Sequence, residues 1–152
     1  MSKGAPLCRW LIDDLKLDVM PIEERILGFT NRWYRPAMDA AKETDLEPDL
    51  RIRVVTAPYF IATKLEAFRG RGHGDYANSH DLEDLLTVID GREAIVHEIA
   101  GAAELRPYIV EQFRNLLGTS AFVDAMPGYL LPDAASQGRL PILLARIKEI
   151  AK

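Results

Sequence analysis

Leu7-Cys8-Arg9-Trp10-Leu11-Ile12-Asp13-Asp14-Leu15-Lys16-Leu17-Asp18-Val19-Met20 alternates apolar and polar residues on both sides of an acidic pair. That is the period of two of a pleated strand, so the stretch predicts a β-hairpin with a tight turn at Asp13-Asp14. In its second strand Leu15, Leu17 and Val19 share one face, while Asp14, Lys16, Asp18 and Met20 share the other. Pro21 has no N–H to donate and ends the ladder.

Outward from this hairpin the period changes. Residues 22–43 lean towards helix but are broken by Gly28 and Pro36, which predicts a short helical turn, an aromatic loop from Phe29 to Tyr34, and a helix over Pro36 to Glu43. Arg51 to Val55 reads as a third strand. Thr56 stands where a helix cap is needed, Pro58 falls in the first helical turn, and Phe60, Ile61, Leu65 and Phe68 follow at helical spacing up to the turn Gly70-Arg71-Gly72-His73-Gly74. Beyond it the signal is helical throughout. Ser79 is placed to cap a helix whose buried stripe is Leu82, Leu85, Leu86 and Ile89. Further helices are expected over Arg92 to Ala103, Glu104 to Leu117 with Ile109, Phe113, Leu116 and Leu117 inward, and Leu140 to Lys152. Pro127, Gly128, Pro132 and Gly138 mark loops between the last two. The expected class is α+β: a β-hairpin plus one further strand over residues 1–56, then a helical bundle over residues 57–152, packed as one unit.

Composition sets the frame for function. The chain has 152 residues, 48% hydrophobic and 28% charged, with room for one domain and a real core. Its single Cys excludes an internal disulfide framework and a Cys-rich zinc site, and a reducing, cytoplasmic setting is expected. His73, His80 and His97 show no zinc-ligand spacing with Cys8. No apolar run approaches the ~20 residues of a membrane span, and the N-terminus lacks a secretory apolar stretch. A net charge of -4 argues against coating nucleic acid by bulk electrostatics. The densest basic region, Arg51, Arg53, Lys64, Arg69 and Arg71, is either a local groove or a solvated face.

Two places carry candidate chemistry. Asp18 lies in a strand between Leu17 and Val19 and is either part of a polar sheet face or a ligand for a hard cation such as Mg²⁺. Lys64 sits on a helix near the apolar Phe60 and Ile61, so its ammonium must reach water or meet an anion. Asp81 and Asp84, three apart, occupy one side of the next predicted helix. These three residues form either a phosphate-neutralising lysine oriented by an aspartate or a structural ion pair between helices. The loop from Gly70 to Gly74 lacks the Gly-Lys-Ser/Thr ending of a phosphate-cradling P-loop, and no Gly-x-Ser-x-Gly elbow occurs. Trp10, Trp33 and Tyr34 read as packing residues.

Taken in order, Cys8-Arg9-Trp10, Leu17 to Pro21, Leu27 to Tyr34, Ala57 to Ala67 and His80 to Leu86 resemble bacterial nucleotidyltransferases of the AbiEii type, which include toxins of type IV toxin–antitoxin pairs. The resemblance covers roughly residues 7–95 and is to the C-terminal part of the family's pattern. It implies a nucleotidyltransferase palm, Mg²⁺, and transfer of a nucleotidyl group from an NTP to an acceptor such as tRNA. Asp18 matches the family's third acid and metal ligand, Lys64 its lysine, and Asp81 or Asp84 its later aspartate. Lys64, Arg69 and Arg71 are the cations expected at the nucleotide. An antitoxin protein is the implied partner.

The chain departs from the pattern before Asp18, where it has no Gly-Ser turn and no Asp-x-Asp pair. One carboxylate binds Mg²⁺ weakly, so the chain alone is expected to be a poor catalyst. It would then be a partial enzyme, a member that only binds, or a protein completed by another chain. A noncatalytic interaction module that keeps the fold is the rival reading, and an open sheet edge is expected to favour a homo-oligomer.

Overall fold

The computed structural model describes residues 8–72 and 74–152; Leu7, expected to open the first strand, and His73 of the glycine-rich turn lie outside them. The architecture is α+β. Strands β1 (Arg9–Ile12) and β2 (Leu15–Asp18) form the expected antiparallel hairpin, with Arg9 opposite Asp18, Trp10 opposite Leu17 and Ile12 opposite Leu15. Asp13 turns the chain with a φ of 53°, a left-handed conformation that Asp tolerates better than most residues.

A short helix α1 (Glu24–Leu27) ends at Gly28, whose φ of 77° suits glycine. Next, α2 (Tyr34–Asp39) ends earlier than expected. Lys42 and Glu43 belong instead to β3 (Lys42–Glu47), which pairs with β4 (Leu50–Val54) around a bulge near Leu46. Opposite charges face each other across this ladder. Glu43 lies opposite Arg53 and Asp45 opposite Arg51, and Arg51 Nε reaches Asp45 Oδ1 at 2.6 Å. The third strand therefore has its own hairpin partner, and the expected palm of one hairpin plus one strand is replaced by two separate two-stranded sheets. Arg53 crosses to α2 and donates to the carbonyl of Met38 at 2.6 Å, which serves an orphan carbonyl at that helix's end.

The helices follow as α3 (Ala57–Arg71), α4 (His80–Gly91), α5 (Ile95–Gly101), α6 (Arg106–Leu117), α7 (Ser120–Ala125), a 3-10 turn over Met126–Tyr129, α8 (Ala134–Gln137) and α9 (Leu140–Ile150). The core is theirs. Ile61 and Leu65 of α3, Leu82, Leu85, Leu86 and Ile89 of α4, Ile109 and Phe113 of α6, and Leu143 and Ile147 of α9 are buried together. Leu117, expected inward, is only half-buried, as is Phe60.

Three local expectations are refined. Ser79 Oγ accepts the Leu82 N–H at 3.3 Å and caps α4 as expected, whereas Thr56 makes no side-chain cap. α3 runs through Gly70 to Arg71 instead of stopping before the glycines. It stops at Gly72, where a Cβ would lie 2.4 Å from the Phe68 carbonyl oxygen and 2.5 Å from its ring, so only glycine fits that close approach. Of the positions expected to mark loops, Pro132 and Gly138 do so, whereas Pro127 and Gly128 lie in a 3-10 turn that continues α7. That turn brings the Tyr129 hydroxyl to accept the Ser79 N–H at 3.1 Å and to donate to the Tyr76 carbonyl at 2.7 Å. Among the described residues no helix is long and apolar enough to cross a membrane.

Candidate functional site

Because α3 continues past Gly70, Lys64 and Arg71 stand seven residues, two helical turns, apart and share one face. α4 packs alongside and offers Asp81 and Asp84 from one side of its first turns. Lys64 Nζ lies 2.5 Å from Asp84 Oδ2 and 3.4 Å from Asp81 Oδ1. Arg71 holds Asp81 through two bonds, Nε to Oδ2 at 3.0 Å and Nη2 to Oδ1 at 2.9 Å. The Lys64 ammonium also stands 5.6 Å above the half-buried Phe60 ring, a favourable site for a cation.

Burial is uneven across this set. The Asp81 side chain is 9% exposed, Lys64 23%, and Asp84 48%. Burial pushes the Asp81 carboxyl up, but the hydrogen bonds and charge of Arg71, with the charge of Lys64, outweigh it and hold the group below the ordinary aspartate range. The Asp81 carboxylate in turn raises Arg71. Asp81 is thus the fixed centre that positions both cations, while Asp84 is the outer, solvent-facing partner. Two cations and two carboxylates sum to zero charge. A multivalent anion would enter by taking the place of Asp84 on Lys64, and Arg71 Nη1, which has no partner among the described residues, would serve as a second donor.

Beside Arg71 opens a cleft of about 380 Å³ between the Phe29–Tyr34 segment and α3, walled by Phe29, Thr30, Tyr34, Ala67, Gly70 and Arg71. Its volume falls in the range of small-molecule sites. Asn31, one of the few buried polar residues, pins the segment down. Its amide donates to the Thr63 carbonyl at 2.8 Å and its oxygen accepts the Trp33 N–H at 3.0 Å. The sequence assigned no role to Asn31, although a lone Asn inside an aromatic run is a signal for a side chain that ties a loop to its neighbour.

The remaining candidates lie elsewhere. Arg69 turns away from Lys64 and pairs with Glu66 at 2.6 Å. Glu66 also accepts the Tyr108 hydroxyl at 2.8 Å and faces Arg32, whose guanidinium lies 4.4 Å from the Tyr108 ring centre. Burial raises the Tyr108 hydroxyl well above its ordinary value, with Glu66 adding to the effect. Asp18 sits on the exposed hairpin with both oxygens held by Arg9, each at 2.8 Å. The Arg9 hydrogen bonds hold its carboxyl below the usual range. No hydrogen bond or ion pair joins Asp18 to Lys64, Asp81 or Asp84 among the described residues.

The Asp18 carboxylate that the resemblance assigns to Mg²⁺ is held by the Arg9 guanidinium, and among the described residues no three His, Cys, Asp or Glu side chains gather where a metal could sit.

No family model matches the sequence, and no curated protein or solved structure matches the chain.

Proposed function

We propose that this chain is a nucleotidyltransferase-like protein that binds a nucleotide with its phosphates at Lys64 and Arg71. The class transfers a nucleotidyl group from an NTP to an acceptor such as tRNA, and the chain's own contribution is to hold and orient the phosphates. What supports this is the arrangement at α3 and α4, a lysine and an arginine on one helical face, both positioned by the buried Asp81, beside an aromatic-walled cleft. Transfer itself draws on carboxylates beyond Asp18. An antitoxin protein is the partner this reading carries with it.

The test is thermal stability with each of the four NTPs, with and without Mg²⁺, alongside transfer of label from the NTP onto tRNA. A ligand at a hundred times its Kd stabilises by about 2.7 kcal/mol, which moves the Tm by roughly 5–10 °C for a chain of this size. Lys64→Met and Arg71→Met are expected to abolish that rise. The rival reading is a noncatalytic interaction module. It is favoured by one observation, that the four charged groups neutralise each other. Indifference of the wild-type protein to all four nucleotides would decide for it.

A further inference from the structure

The β1–β2 hairpin is two-faced. Arg9 and Asp18 pair with each other on one face, next to Leu11 and Lys16. On the other face Trp10, Ile12, Leu15 and Leu17 stand side by side, extended by Val19, with no charge among them, and all five are exposed, Trp10 to 62%. A two-stranded ribbon is marginal in water without something packed on its apolar face. Left open, the five side chains uncover on the order of 500 Å². Two such faces together would bury about 1,000 Å², the lower limit of a specific interface.

We infer that this face pairs with the same face of a second copy of the chain, in a two-fold, concentration-dependent dimer. A two-fold contact sets a patch against itself, so any charge on it meets its like. The β1–β2 face has none. The β3–β4 hairpin makes a useful contrast: it too exposes Leu50, Ile52 and Val54, but Lys42 lies opposite Val54 on that same face and a bulge interrupts the strand. A two-fold contact through that face would set the Lys42 charges of the two copies against each other. The contact proposed is therefore through a sheet face rather than the open sheet edge expected from the sequence, and it stands independently of the nucleotide reading.

Sedimentation across roughly 1–200 μM protein tests it, with a micromolar dimer expected for an interface of this size. Trp10→Glu and Leu17→Glu should each weaken the dimer at least about a hundredfold, because like charges would meet across the axis. Leu11→Glu, on the opposite face, should leave it intact. Circular dichroism and Tm of the helical core check folding, since none of these side chains is part of the buried cluster. A monomer throughout the range would overturn the proposal. A dimer indifferent to Trp10→Glu and Leu17→Glu, or one lost equally in Leu11→Glu, would overturn it as well.

Discussion

Arg71 grips Asp81 through two parallel bonds of 3.0 and 2.9 Å across the junction of α3 and α4, ten residues apart in sequence. The geometry is the fork that lets arginine hold a carboxylate in one orientation. It makes the segment between the two helices a closed loop, tied at its base by a charge pair whose acidic member is buried.

Removing that base should be costly. Asp81→Ala leaves Lys64 and Arg71 facing each other without their shared carboxylate. A broken buried pair costs about 3–5 kcal/mol, and the exposure of Arg71 reduces the expectation here to roughly 1–3 kcal/mol. Asp84→Ala, at an exposed position, should cost less than about 1 kcal/mol. Chemical denaturation of the two variants checks the ranking, and equal losses would contradict it.

The same carboxyl should leave a mark on acid stability. Asp81 has its pKa lowered by folding, so its contribution is present above the unfolded-state value near 4 and is lost as pH falls through the folded-state value. Stability of the wild-type protein should therefore decline more steeply below about pH 4 than that of Asp81→Ala. Denaturation midpoints across that acid range measure the difference.

Two glycines of one helix end should respond in opposite directions. Gly70→Ala meets nothing within 4 Å and replaces a poor helix former, so a gain of about 0.5–1 kcal/mol is expected. Gly72→Ala drives a methyl into the Phe68 carbonyl and ring, which should cost about 1–3 kcal/mol. Thermal melts of the two variants on one preparation are enough to see the sign change.

The two threonine and serine helix starts offer a parallel comparison. Ser79→Ala removes the bond to the Leu82 N–H and should cost about 1 kcal/mol, while Thr56→Ala removes no cap and should fall within about 0.5 kcal/mol of wild type.

Period alone made much of the fold legible. The first hairpin reads directly from alternation around Asp13-Asp14, and the Leu82, Leu85, Leu86, Ile89 stripe is buried as its spacing requires. β3 was hidden because Lys42-Glu43-Thr44-Asp45 has no apolar alternation. The strand it pairs with, Leu50 to Val54, comes later in the chain. The site divides the same way. Asp81 and Asp84 stand on one side of α4 as helical spacing predicts, and both meet Lys64. Arg71 joins them only because the helix continues through Gly70, which composition reads as a break. Asp18 was singled out for standing among apolar neighbours, but its partner Arg9 faces it across the hairpin, a relation that follows from register and not from its own strand.

The Tyr129 hydroxyl has a consequence for the order in which the molecule assembles. It reaches back 50 residues to the Ser79 amide and 53 to the Tyr76 carbonyl, both at the entrance to α4. During synthesis α3 and α4 emerge well before the residue that fastens the turn between them. A nascent chain stopped short of Tyr129 should expose that turn to protease, and protection should arrive abruptly once the 3-10 turn is made.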